Sequence, residues 1–156
     1  MSLTPKPGAA RISPVIGRQD DVLLGRVTYE EWAGYWPTST DEPFASFINN
    51  VRKHVASTSL QKVAWKNSQL LGDAAAQVKT LKTTTGRDIA HGSIRLVQSL
   101  LQRSLVDELI LYVMPAVAGR GRRLFDQGTA PGRLTLADSR VTRTGIAILS
   151  YALAKA

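Results

Sequence analysis

The chain has 156 residues, enough for one domain with one core, and its 44% apolar and 21% charged residues are globular proportions that exclude a disordered polymer. Without cysteine it offers no disulfide, no thiolate nucleophile and no cysteine-ligated metal, and no apolar run approaches the ~20 residues of a membrane span. A net charge of +8 favours anionic partners, whether nucleic acid, an acidic surface or a polyphosphate cofactor.

Residues 1–19 carry Pro5, Pro7, Gly8, Pro14 and Gly17, so regular structure there is expected to be short, and they lack the apolar stretch of a secretory signal. They read as an atypical N-terminal segment ahead of one domain over 20–156. Asp21-Val22-Leu23-Leu24 predicts a buried strand stopped by Gly25. Thr28 and Glu31 have capping-box spacing, which places a helix start there, with the helix running to about Tyr35 and ending before Pro37. Phe44 to Asn50 reads as a second short helix, Lys53 to Ser57 as a strand with a polar end, and Gln69 to Leu71 as another strand.

Gly72-Asp73 opens the next helix with Asp73 as its cap and Gly86 as its stop. Asp88 to His91 predicts a short strand leading into Gly92-Ser93. Leu96, Val97, Leu100 and Leu101 then fall at helical spacing and define a buried stripe. Leu109 to Val117 is a near-continuous apolar run, as expected for a strand covered on both faces. Arg133 to Thr142 and Ile146 to Leu153 form two strand-like runs about Thr144-Gly145, an antiparallel pair. Strand and helix alternate to about residue 117 and strands alone follow. The fold class is therefore α/β, a mostly parallel central sheet with helices on both faces and an antiparallel C-terminal strand pair.

Two strand-to-helix junctions carry the chemistry this pattern allows: Leu24-Gly25-Arg26-Val27-Thr28 and His91-Gly92-Ser93. In open α/β sheets, ligands settle beyond the carboxyl ends of strands, where helix starts present unpaired amides and a positive dipole end. Glycine admits the ligand closely, a hydroxyl donates to phosphate oxygen and Arg26 adds a fixed charge. Either junction alone is also an ordinary helix start. Trp32, Trp36 and Trp65 read as core aromatics, with Trp36 the best substrate-pocket candidate because it follows the first helix. His91, beside the expected phosphate site, is a second pocket candidate, against the plainer reading of a hydrogen-bonded structural histidine. His54 and His91 have no partner at metal-ligand spacing, so no metal site is expected. Asp107 and Glu108 point to opposite faces of a strand and cannot act together. Arg120, Arg122 and Arg123 read as a solvated basic loop.

Taken together, these segments resemble a known family. Leu23-Leu24-Gly25-Arg26-Val27-Thr28-Tyr29-Glu30 resembles the cofactor-loop signature of the dihydrofolate reductase superfamily. The nearest branch includes the reductase domain of the bacterial riboflavin-biosynthesis deaminase-reductase. Tyr35-Trp36-Pro37, Val55-Ala56-Ser57-Thr58-Ser59-Leu60, Gly86-Arg87-Asp88-Ile89, His91-Gly92-Ser93, Leu105-Val106-Asp107-Glu108-Leu109 and Gly119-Arg120-Gly121 follow in the same order. The resemblance spans about residues 20–154.

It implies a dihydrofolate reductase-like three-layer sandwich and an NADPH site. Gly25, Arg26 and Thr28 would contact phosphates, and Ser57 and Thr58 would lie near the adenosine 2′-phosphate. Gly92, Ser93, Ile94, Arg95 and Leu96 would wrap the pyrophosphate. The implied activity is NADPH-dependent reduction of a C=N or C=O bond in a small heterocycle, resembling 5-amino-6-(5-phosphoribosylamino)uracil reductase. A non-catalytic nucleotide-binding or assembly module is the alternative, and nucleic-acid binding rests on charge alone. The resemblance further implies a cytoplasmic homodimer and assigns no catalytic proton donor. Two departures stand out. Ile94 occupies a position where many relatives have a small residue. Only about twenty residues precede the signature, so either the N-terminal strand is missing or a remodelled terminus fills its place.

Overall fold

The computed structural model describes residues 17–84, 88–91, 93–125 and 132–154. The sequence expectations for residues 1–16, for the Gly86 stop and for Gly92 lie outside them. The chain divides into two compact units, Met1–Leu96 and Val97–Ala156.

The first unit is built on four parallel strands, β1 (Gln19–Gly25), β2 (Arg52–Ala56), β3 (Ser68–Leu71) and β4 (Asp88–His91), in the order β3-β2-β1-β4. Helix α1 (Arg26–Tyr35) follows β1, α2 (Phe44–Asn50) precedes β2, and α3 (Ala74–Thr84) joins β3 to β4. Alternation sends β1 side chains to opposite faces. Val22 and Leu24 join Val55, Tyr29, Ile48, Trp36 and Trp65 in the main apolar cluster. Asp21 and Leu23 point the other way and are equally buried, so both faces of this central strand are covered.

Helix α1 starts differently from the sequence expectation. It begins at Arg26 with Gly25 as its cap residue and no side-chain cap, so Thr28 and Glu31 lie inside the helix and form no capping box. The buried strand ends so abruptly at Gly25 that helical geometry takes over two residues before the hydroxyl is reached. The stop at Tyr35 is as expected, with Pro37 in a following 3-10 turn. Helix α3 starts as predicted: Asp73 Oδ1 accepts the amides of Ala75 (2.9 Å) and Ala76 (3.2 Å). Asp73→Ala should therefore cost about 1 kcal/mol, read as a lower urea midpoint with an unchanged slope; an unchanged midpoint would remove the cap's role.

Two buried polar groups are unexpected. Lys53, read as the polar end of a strand, is fully buried. Its Nζ donates to the carbonyls of Ile48 (2.8 Å) and Val51 (2.9 Å) and lies 4.5 Å from the Trp65 ring centroid. These carbonyls close α2, where a cation meets the negative end of the helix. On the opposite face, Gln69 Nε2 donates to His54 Nδ1 (2.7 Å), and His54 Nε2 donates to Asp21 Oδ1 (2.7 Å), which Arg52 also engages at 3.2 Å. The sequence marked His54 only as a strand residue.

Helix α4 (Ile94–Gln102) buries Leu96, Val97 and Leu100, the predicted stripe. In the second unit, β5 (Glu108–Val113), β6 (Leu134–Val141) and β7 (Ala147–Leu153) form an antiparallel sheet in the order β5-β7-β6. The expected C-terminal pair is present about Thr142–Gly145, and β5 joins it as a third antiparallel strand. The apolar run from Leu109 was expected to be covered on both faces. The strand stops at Val113 instead, and Tyr112, Val113, Met114 and Val117 are exposed. No helix among the described residues is long and apolar enough to cross a membrane.

Candidate functional site

Parallel pairing brings the carboxyl ends of three strands side by side. Gly25 is in register with Ala56, so the end of β1 and the start of α1 stand next to Ser57 and Thr58. On its other side β1 pairs with β4, Leu23 opposite His91, which sets Gly25 beside the turn into α4. Strands β1, β2 and β3 step in one direction while β4 lies on the far side of β1, so the strand order reverses between β1 and β4. That reversal opens the crevice in which doubly wound sheets bind ligands. The stretches near residues 25, 57 and 93 therefore share one edge of one sheet.

Gly25 has φ −76 and ψ 160, a conformation open to any residue, so its need for glycine is steric. A Cβ at this position would stand 2.5 Å from Ser93 Oγ and 3.1 Å from Ser93 Cβ. The two junctions that the sequence marked separately are in near contact.

A shallow pocket of about 340 Å³ lies beside them, lined by Arg26, Ser57, Thr58, Ser59, Gly72 and Ala74 among others. Ser57 Oγ accepts the amides of Ser59 (3.2 Å) and Leu60 (3.0 Å), which folds the chain beyond β2 into a tight turn and brings the Ser59 hydroxyl to 3.4 Å. Arg26 Nη1 donates to Glu30 Oε2 (2.8 Å) one helical turn along. Both side chains are partly exposed, so this pair is worth only ~0.3–0.5 kcal/mol, and among the described residues Glu30 engages only Nη1 of the guanidinium. A larger groove of about 850 Å³ involves Tyr29, Gly34, Pro37, Lys62, Trp65 and Lys66, and none of the residues singled out for cofactor binding lines it.

The remaining sequence candidates fall out as follows. Thr28 is half-buried in the first turn of α1. Ser93 and Ile94 are half-buried at the start of α4, and Arg95 is exposed. The Leu96 side chain belongs to the buried stripe, so only its backbone could meet a ligand. His91 ends β4 and is described through its backbone alone. Trp36 follows the core reading: its ring is buried between Tyr35, Trp32 and Phe44, with centroids 4.7–6.2 Å apart, and it lines neither pocket. Edge-to-face packing against these three rings buries the indole in the core. Ser59, Gly72 and Ala74 were not singled out; the Ser57-Thr58-Ser59 run was visible, but only pairing of β2 with β3 brings Gly72 beside it.

The model of the RibD C-terminal domain matches residues 15–148 of this sequence. The chain belongs to that family. It is a riboflavin-pathway, reductase-like family whose members generally use NADPH. Among curated proteins, the uncharacterized protein YyaP of Bacillus subtilis (strain 168) is 25% identical over 137 residues, covering 85% of this chain and 73% of its own length. The fold is also that of a candidate riboflavin biosynthesis protein from Shewanella sp. PV-4. That likeness has a TM-score of 0.76 at 18% identity, over 96% of this chain and 84% of the other. A pyrimidine reductase-like protein from Corynebacterium diphtheriae follows with a TM-score of 0.64 at 13% identity, over 92% and 81%. RibD of Acinetobacter baumannii gives 0.66 at 16% identity, over 99% of this chain and 52% of the other.

Proposed function

We propose that this chain binds NADPH across the carboxyl ends of β2, β1 and β4 and reduces a small heterocyclic substrate of the ribosylamino-pyrimidine class. One observation carries the reading: Gly25-Arg26, Ser57-Thr58 and Ser93-Ile94 stand side by side at the carboxyl ends of β1, β2 and β4, next to the point where the strand order reverses. The donor set suits a dinucleotide with an extra phosphate. Arg26 brings a charge, Ser57, Thr58 and Ser59 bring hydroxyls, and the start of α4 brings backbone amides. Glycine at position 25 keeps the approach narrow but open. When bound, NADPH supplies the hydride, and the chain's own part is to hold the phosphates and exclude water from the reacting face. The reading also places the chain in the cytoplasm, in line with a sequence that has no disulfide to form.

Titration with NADPH is expected to raise the melting temperature by ~5–10 °C at a hundredfold excess over Kd. Arg26→Ala should weaken NADPH about tenfold and NADH less, because Arg26 lines the same pocket as Ser57 and Thr58, where the phosphate that only NADPH carries would lie. NADPH should then be oxidised with a ribosylamino-pyrimidine in preference to pterin or folate. The absence of any thermal shift at millimolar NADPH would remove the cofactor assignment. A shift without turnover on all three substrates would leave a nucleotide-binding module in place of a reductase.

A further inference from the structure

A second concavity of the first unit has no part in the cofactor reading. The groove of about 850 Å³ between α1, the turn at Pro37 and the segment joining β2 to β3 shares no lining residue with the pocket beside Arg26. Its volume falls within the ~300–1,000 Å³ of small-molecule sites. The floor is fixed by hydrogen bonds. Tyr29 and Trp65, 5% and 8% exposed, stand with ring centroids 6.2 Å apart. Trp65 Nε1 donates to Asn49 Oδ1 (2.9 Å), and Asn49 Nδ2 donates to the Trp36 carbonyl (2.8 Å). The Tyr29 hydroxyl oxygen accepts the amides of Ala64 (3.0 Å) and Trp65 (3.1 Å), but its proton has no acceptor among the described residues. A buried donor left in that state is costly, and an acceptor entering the groove would relieve it.

The walls are small and the rim is cationic. A Cβ at Gly34 would meet nothing within 4 Å, so α1 leaves open space here, and Pro37 and Ala64 add apolar surface. Lys62 and Lys66 also line the groove, and neither is paired with a carboxylate among the described residues. Lys66 Nζ donates to the amide oxygen of Asn50 (3.1 Å), and Lys62 makes no hydrogen bond or ion pair to a described residue. Glu30, the one carboxylate on the groove wall, already accepts from Arg26 at 2.8 Å. Every polar group here that is short of a partner is therefore a donor. We infer that this groove binds a small aromatic anion, its ring lying against Gly34, Pro37 and Ala64 and its charged group meeting Lys62 and Lys66. Two ammoniums attract a carboxylate or a phosphate ester, and the Tyr29 proton adds a neutral donor. The two aromatic side chains of the floor favour a ring through edge-to-face contact.

Calorimetric titration of the full chain with 2-naphthoate and with 2-naphthyl phosphate reads this site directly. It needs no NADPH, so its outcome is separate from that of the cofactor reading. At least one of the two anions should bind with a Kd below ~1 mM, and the tighter of them identifies the charged group. 2-Naphthalenemethanol, the same ring without charge, should bind about tenfold more weakly. Gly34→Leu fills the groove from α1 while improving helix propensity. It should keep or raise the melting temperature and weaken the anion by about tenfold or more. Lys62→Gln combined with Lys66→Gln should weaken the anion about tenfold and leave the uncharged alcohol unaffected. Failure of both anions to bind at millimolar concentration, equal affinity for the alcohol, or undiminished binding to a folded Gly34→Leu chain would overturn the inference.

Discussion

Lys53→Met is expected to lower the stability of the folded chain by about 2–3 kcal/mol at neutral pH and to remove a rise in stability that the wild type shows between pH 8 and 10. The first effect follows from the carbonyls of Ile48 and Val51, which lose their shared donor at the close of α2. Methionine fills the volume and keeps contact with Trp65, so the loss reports the hydrogen bonds and the cation over the ring.

The second effect follows from burial, which with the nearby Lys66 charge lowers the Lys53 pKa from 10.5 to about 8. Between those values the unfolded chain holds the proton and the folded chain does not. Stability therefore rises with pH across that window, is lowest from this group below pH 8, and levels off above 10.5. Above pH 10 Tyr112 acts in the opposite sense, because partial burial of its ring raises the phenol against the influence of Arg140. The useful interval thus ends near 10, and the rise within it should be ~2 kcal/mol. Urea midpoints at pH 7, 8, 9 and 10 for wild type and variant provide the check. Parallel curves would show that Lys53 does not titrate in this range.

Gly25→Val is expected to cost about 3 kcal/mol, against about 1 kcal/mol for Gly25→Ala, and to abolish the NADPH-induced thermal shift. The backbone at Gly25 is unstrained, so the cost comes from collision with Ser93. In the alanine variant the Ser93 hydroxyl has room to rotate away; two further methyl groups force the start of α4 to move, and the amides there leave their places. Ser93→Ala placed in the Gly25→Ala background removes the nearer atom and should restore part of the lost stability, a coupling of ~0.5–1 kcal/mol in a double-mutant cycle. Additive effects would mean that the β1–α1 and β4–α4 junctions do not touch, and the proposed cofactor site would fail with them.

Local features of the fold were legible wherever a short-range rule governed the outcome. The strand at Asp21-Val22-Leu23-Leu24, the α2 segment from Phe44 to Asn50, the Asp73 cap and the C-terminal strand pair all depend on residues within a few positions of one another. Capping at α1 was misread for the same reason: Thr28 and Glu31 have the right spacing, but the helix takes over directly from the strand at Arg26, two residues before Thr28. The candidate site was legible in pieces, as glycine and hydroxyl at two helix starts and a Ser-Thr-Ser run.

By itself the sequence determined the fold class and, through the order of its motifs, the family. Periodicity and turn chemistry are local, and motif order survives without coordinates. Only the tertiary structure decided that Gly25 abuts Ser93, that Lys53 and His54 are buried with hydrogen-bond partners, and that Trp36 packs in the core. For Lys53 and His54 the outcome depends on strand pairing and register, because a shift of one residue would have turned both side chains of β2 to the opposite face.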